Sequence, residues 1–237
     1  MQLNKYLALC GVAARRKANM VIVQGRVIVN KEVVKKLGYK VDPEKDKIFL
    51  DGRLLKPPQI YKYILMNKPA GVITSVEDDR NRKTVVDLIG ANERLFPVGR
   101  LDYDTEGVLL LTNDGELSYR LSHPKYEVDK VYQAWVDGYV TEEALRKLVE
   151  GIAINPGLIV KGEAKILRRK EKKTLVKISV HEGKKRQIKR MMKAIGHPVI
   201  QLKRTRFAGL TVDGLKSGEW RELTGEEIKE LYTQVGL

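Results

Sequence analysis

The chain has 237 residues, with 45 Lys and Arg against 30 Asp and Glu for a net charge of +15, and it is 43% hydrophobic and 32% charged. That balance belongs to a folded globular protein of one large domain or two smaller ones, not to a disordered chain. No apolar run approaches the about 20 residues of a membrane span. The N-terminus lacks a signal-peptide layout, and a cytoplasmic protein is expected. The single cysteine, Cys10, excludes an internal disulfide and a multi-cysteine metal site, and the three scattered histidines argue against a zinc enzyme.

Leu3, Tyr6, Leu7 and Cys10 recur at i, i+3, i+4 and i+7 and predict a short helix stopped by Gly11. A second helix is expected from about Ala14 to Val23, with Ala18, Val21 and Ile22 inward. Arg15, Arg16 and Lys17 crowd its first turn, which opposes the helix dipole unless an anion lies there. Gly25 turns the chain into a β-branched strand, Arg26–Asn30, and Asp51-Gly52 reads as the two-residue turn of a hairpin. Pro57-Pro58 then stiffens a link.

Residues 61–66 alternate as a strand that ends in a turn at Asn67–Gly71. Residues 78–84 form a polar loop leading to Val85–Ile89. A polar loop carrying Asp102 and Asp104 leads to a buried strand, Val108–Thr112, which leaves through Asn113-Asp114-Gly115, where Asp114 is expected in a hairpin turn. A strand over Val131–Val136 and helices over Glu142–Glu150 (Leu145 and Leu148 inward) and Lys185–Ala194 complete the pattern.

The charge is unevenly spread. Residues 1–60 carry 13 Lys and Arg against 5 acids, residues 161–206 carry 17 against 3, and the remainder is net acidic. Two basic segments on an acidic background form an electrostatic footprint for nucleic acid. Neither lies on a helix with a bulky aromatic face, which disfavours a membrane surface.

The stretch "GVAARRKA" followed by "VQGRVIVN" resembles the small S-four-like RNA-binding domain. The resemblance implies that Arg15, Arg16, Lys17 and Arg26 hold RNA phosphates. Ala14 replaces the usual Ser cap, and Lys31 the Gly that commonly follows the strand-end Asn. Further on, "GRLDYDTEGVLLLTNDG" resembles the signature of pseudouridine synthases of the RsuA type, which modify ribosomal RNA. "NKPAGVITS", "RKTVVDLI", "HPKYEVDKVYQAWV", "HEGKKRQIKRMMKAIGHPVIQLKR" and "GLKSGEWRELTGEEI" fit that family's other blocks in order.

The resemblance implies an α+β fold. A small α/β RNA-binding domain over 1–60 precedes a catalytic domain over 61–237, with a mixed, mainly antiparallel sheet and flanking helices. It places the essential aspartate at Asp102, the tyrosine that stacks on the target uracil at Tyr132, and the basic partner of the aspartate at Lys189. Arg100 falls on the residue that fills the gap left by the flipped base, or else on a salt bridge. Asp104 is expected to be solvated or turn-forming. Lys184, Lys185, Arg186 and Arg190 are expected to contact RNA.

Isomerising uridine to pseudouridine neither gains nor loses atoms, so no cofactor or metal is implied, in keeping with the lack of a phosphate-binding Gly loop. The implied partner is ribosomal RNA or an assembling subunit, with the large subunit favoured, and a monomer is expected. Two rivals compete: an inert ribosomal-RNA-binding assembly factor, which has no need of Asp102, Tyr132 and Lys189 together, and a nucleosidase, which has no need of the second basic segment.

Overall fold

The computed structural model describes residues 1–58, 60–91 and 93–237. It divides into two compact units. The first comprises Met1–Lys62 with Asn92–Arg94 and Asn113–Gly115; the second comprises Tyr63–Ala91, Leu95–Thr112 and Glu116–Leu237.

In the first unit, helices α1 (Leu3–Leu9) and α2 (Arg15–Val23) stand beside a sheet of β1 (Val27–Val29), β2 (Glu32–Val33), β3 (Ile48–Leu50) and β4 (Arg53–Leu54), in the order β2-β1-β3-β4. The apolar stripe of α1 buries Leu3, Tyr6 and Leu7, and α2 buries Ala18 and Ile22, all in one core with Val27, Val29 and Ile48. Ala14 caps α2 from an extended conformation with no side-chain hydrogen bond. Asp51 and Gly52 both take positive φ, 46° and 80°, as the primed turn between β3 and β4 requires.

The second unit comprises β5 (Tyr63–Lys68), α3 (Val85–Ile89), β6 (Phe96–Pro97), β7 (Thr105–Thr112), α4 (Gly115–Ser122), β8 (Lys130–Asp137), α5 (Glu142–Glu150), β9 (Ile152–Asn155), β10 (Leu158–Val160), β11 (Glu163–Lys170), β12 (Lys173–Val180), α6 (Gln187–Ala194), β13 (Val199–Phe207), β14 (Trp220–Glu222) and α7 (Gly225–Gln234). Its large sheet runs β11-β12-β8-β13-β7-β5-β14, with β6 paired to β7; β9 and β10 form a separate hairpin. Only β7 and β13 are parallel, so the sheet is mixed and mainly antiparallel.

One face of the sheet buries Tyr132, Ala134, Val176, Ile178 and Leu202 with Leu145 and Leu148 of α5 and Ile188, Met191 and Met192 of α6. On the other face, Leu65, Val108 and Leu110 are covered by Leu117 and Leu121 of α4, Leu231 of α7 and Val235 at its C-cap. β7 is covered on both sides, Leu109 and Leu111 entering one core and Val108 and Leu110 the other, which explains its unbroken apolar run.

Three expectations need correction. Asn67 and Lys68 are not in a turn; both are buried in β5 and pair with Val108 and Gly107. Asp114 is not in a hairpin turn: it is buried and followed by α4. The helix expected from Lys185 begins at Gln187, because Arg186 sits in the left-handed region (φ 54°) at its N-cap.

Candidate active site

The second unit contains a cleft of about 420 Å³, within the about 300–1,000 Å³ range of small-molecule sites. One wall is the loop Gly99–Thr105 ahead of β7, the other the segment from Val180 to Ile188 between β12 and α6, and Tyr132 and Leu202 contribute from β8 and β13. Asp102 and Tyr132 thus line one cavity. Asp102 is half-buried, and Tyr132 is buried to 9% exposure. Arg100 lines the same wall as Asp102, exposed and without an ion pair among the described residues. Lys184, Lys185 and Arg186 face it, all exposed, giving the second wall a positive rim. Arg190 lies one helical turn beyond the lining residues.

The loop bearing Asp102 is fastened from several sides. Thr105 N donates to the Asp102 carbonyl at 3.0 Å. The Thr74 hydroxyl donates to the Leu101 carbonyl at 2.8 Å and accepts from Leu101 N at 3.3 Å. Lys68 is fully buried, and its Nζ donates to the carbonyls of Pro69 (2.9 Å), Thr105 (3.0 Å) and Asp102 (3.3 Å). Three carbonyls in place of a carboxylate make this ammonium a staple for the turn.

The opposite wall has a counterpart. Lys130, also buried, donates to the carbonyls of Val128 at 2.7 Å and His181 at 3.1 Å, the latter where the wall begins. Gln187 is buried and links Lys184 N to Glu182. Burial pushes both lysines down to about 8, against the pull of Asp104, Glu106 and Asp102 on Lys68, and of Asp129 and Glu182 on Lys130. Neither lysine is marked as unusual by hydropathy. The "NKP" block was the available signal for Lys68, but its proline made it read as a turn.

Behind Tyr132 lies Arg204, its register partner on β13. The guanidinium is 2% exposed, donates from Nε to the Val108 carbonyl at 2.8 Å, and lies 4.7 Å from the Phe207 ring centre. It also hydrogen-bonds to the Tyr132 side chain, and burial pulls its pKa down. Its Nη2 has no hydrogen-bond partner among the described residues.

Lys189 departs from expectation. Its ammonium closes on the Asp104 carboxylate, not on Asp102. Asp104 is thus neither merely solvated nor simply turn-forming, and the Lys189 ammonium holds its carboxyl below the usual carboxylate range. In the first unit, Arg15, Arg16 and Lys17 are exposed along the start of α2. Arg26, by contrast, is engaged by both oxygens of Asp51, with Nε at 3.0 Å from Oδ1, which occupies the guanidinium expected to meet phosphate.

The first unit thus carries a basic helix start, and the mixed sheet of the second holds a cleft lined by Asp102 and Tyr132. The chain belongs to the RNA pseudouridylate synthase family, which it matches over residues 62–194, and residues 1–48 match the S4 domain. Members of that family are isomerases.

A ribosomal large subunit pseudouridine synthase B from Bacillus subtilis (strain 168) is 46% identical over 233 residues, covering 97% of this chain and 95% of that protein. An uncharacterized RNA pseudouridine synthase from Aquifex aeolicus (strain VF5) is 45% identical over 239 residues, covering 100% of this chain and 96% of that protein. A pseudouridylate synthase crystal structure matches with a TM-score of 0.68 at 32% identity, covering 98% of this chain and 99% of that one.

The buried staples carry a pH signature. Below about 8 both lysines are charged in the fold at a desolvation cost, whereas in the unfolded chain they stay charged to about 10.4. Between these values the unfolded state binds more protons at the two lysines, so stability should rise with pH from about 8 to about 10, a rise opposed in its upper half by Cys10, whose thiol burial pushes up to about 11. Above that window it should fall, because Tyr6, held up to about 12 by burial, ionises more readily unfolded. Lys68→Met should remove more than half of the alkaline gain in urea midpoint, because the remaining lysine is opposed by Cys10, and lower kcat by about tenfold or more with RNA affinity nearly unchanged. A variant with the wild-type rise and wild-type kcat contradicts the stapling role.

Proposed function

We propose that the protein converts a uridine of large-subunit ribosomal RNA to pseudouridine, with Asp102 acting on the ribose of a base flipped into the cleft. The observation that carries this reading is the meeting of Asp102 and Tyr132 in one cavity of nucleotide size, in a chain 46% identical to a large-subunit pseudouridine synthase. The cavity lies at the surface of a unit with a strongly positive rim. A base must leave its helix to reach such a site, and in this reading Arg100, on the same wall as Asp102, fills the space it vacates.

The chemistry then uses the chain's own groups. Asp102 attacks the ribose as nucleophile or removes a ribose proton as base. The bond between uracil N1 and the anomeric carbon breaks, and the uracil turns over against the Tyr132 ring. A bond forms from its C5 to the same ribose carbon as the Asp102 carboxylate leaves that carbon (nucleophile) or as the ribose regains its proton from Asp102 (base); the C5 proton leaves and N1 takes up a proton. The apolar lining from Leu101, Val180, Ile188 and Leu202 keeps the detached uracil from diffusing and limits water at the anomeric carbon. Arg204 orients the Tyr132 phenol, and the stapled turn keeps the Asp102 carboxylate in place. The basic rim and the N-terminal unit hold RNA phosphates and contribute affinity more than base discrimination.

Lys189 acts through Asp104 in this reading. Lys189→Met and Asp104→Asn should each lower the single-turnover rate by about tenfold, and the double variant should be no worse than either alone, since both break one pair. A near-wild-type Asp104→Asn beside a severely slowed Lys189→Met would instead assign Lys189 directly to Asp102.

The reading as a whole is tested with transcripts of large- and small-subunit ribosomal RNA carrying tritium at uracil C5. Each isomerisation releases one tritium. Release from the large-subunit transcript alone supports the proposal. Release from the small-subunit transcript alone overturns the substrate, and release from neither, as transcripts or assembled particles, favours an inert RNA-binding factor.

A further inference from the structure

The helix-free half of the large sheet carries an ordered grid of cations unrelated to the cleft. α5 and α6 cover the face that bears Tyr132, while α4 and α7 cover the opposite face along β5, β7 and the Phe207 end of β13. The remaining part of that opposite face, on β11, β12, β8 and β13, is open. Ladder register arranges its side chains in rows across the strands. Lys165 lies opposite Lys177, which lies opposite Gln133, which lies opposite Lys203. In the next row Arg168, Leu175, Trp135 and Gln201 follow one another, and beyond it Lys170 lies opposite Lys173. With strands about 4.8 Å apart and same-face residues nearly 7 Å apart along each strand, the cations form an array some 14 Å wide.

Two features single this array out from an ordinary solvated face. Lys165–Lys177 is a directly opposed like-charge pair with uncharged Gln133 next in its row, an arrangement that destabilises a sheet unless a counter-charge lies over it; Lys170–Lys173 is a second such pair, with Asp137 opposite Lys173 on its other side. Lys165, Lys170, Lys177, Lys203 and Arg168 make no ion pair among the described residues, although Glu163, Asp137 and Glu106 lie on or beside the same face. Protection of an edge strand against aggregation accounts for cations on β11, but not for Lys177 and Lys203 on interior strands. The aromatic at the centre, Trp135, is half-buried and has the Lys173 ammonium 5.4 Å from its ring centre, so it offers no free ring for base stacking.

We propose that this open sheet face is a second RNA-binding surface, which holds the phosphate backbone of a double-helical segment of the substrate RNA outside the cleft and independently of base sequence. The inference rests on RNA being the partner of this chain, and it adds a footprint separate from the residues around Asp102. Rows of ammonium groups without a stacking platform suit two phosphate strands better than unpaired bases.

The test is binding of the full chain to a 20-base-pair RNA duplex (about two helical turns) lacking the target sequence, measured by fluorescence anisotropy over a salt series. A variant carrying Lys165→Gln, Lys170→Gln, Lys177→Gln and Lys203→Gln should bind about tenfold or more weakly, and its log–log salt slope should shrink by roughly 3. The same four positions changed to Arg should restore both values, which separates lost charge from a damaged sheet. Unchanged affinity and slope in the Gln variant overturn the proposal. So does a defect seen only with protein-containing ribosomal particles, which would assign the face to an acidic protein. Because the readout is binding, it stands apart from the tritium assay: an inactive wild-type chain would refute the isomerase reading and leave this one to be judged on its own.

Discussion

Asp102→Asn should stop pseudouridine formation while leaving RNA bound. The carboxamide is nearly isosteric with the carboxylate, and the turn that carries it is held by backbone contacts from Thr105, Thr74 and Lys68, none of which uses the Asp102 side chain. The loop should therefore keep its shape, and only the charge and basicity at the reacting ribose disappear. Single-turnover rates at saturating RNA should fall by more than about 10³-fold, with the dissociation constant changed by no more than about threefold. Turnover above a few per cent of wild type would move the chemistry to another carboxylate, and Asp104, two residues along, would be the first to examine. A large loss of affinity with little loss of rate would mean that Asp102 positions RNA instead of reacting with it.

Gly107→Ala should be the most damaging single methyl group in the second unit. Gly107 has φ of 106°, and a Cβ built on it would lie 2.1 Å from the Arg204 carbonyl oxygen. That neighbour is backbone in the parallel β7–β13 ladder, where Arg204 is the register partner of Gly107, so it cannot swing away. Separating the strands would disturb the two elements that carry the Asp102 turn and the Tyr132–Arg204 contact. The expected cost exceeds about 4 kcal/mol, enough to unfold a marginal domain. Circular dichroism and urea unfolding should show loss of the large sheet. A well-folded variant within about 1 kcal/mol of wild type would contradict the geometry at this crossing.

Much of this arrangement was legible in the residues, and the parts that were not share a cause. Apolar periodicity located α1, α2 and α5, because burial of Leu3, Tyr6 and Leu7, of Ala18 and Ile22, and of Leu145 and Leu148 is what organises those helices. The Asp51-Gly52 turn was legible because its positive φ values select those residue types.

Lys68, Lys130 and Arg204 were not. A buried cation held by backbone carbonyls looks, in one dimension, like any surface lysine or arginine, and the carbonyls that meet it come from residues scattered along the chain. The same limit explains Lys189. Spacing and family pattern bring it near the Asp102–Asp104 turn, but which of two carboxylates receives the ammonium depends on side-chain geometry. Asp114 misled because Asn-Asp-Gly serves equally before a second strand or before a helix, and the amphipathic run from Leu117 to Leu121 was the overlooked discriminator. The basic run over 161–206 likewise appeared as one segment, although the fold places its members on the cleft rim, in the sheet interior and on an open face.

The most direct measurement is a map of pseudouridines in ribosomal RNA from three strains: one with the protein, one without it, and one carrying only Asp102→Asn. The expected result is a single large-subunit pseudouridine that is present in the first strain and missing from the other two, while all small-subunit sites are unchanged. Identical maps in the three strains, or full restoration of the site by Asp102→Asn, would contradict the assignment of this chain as an Asp102-dependent uridine isomerase of the large subunit.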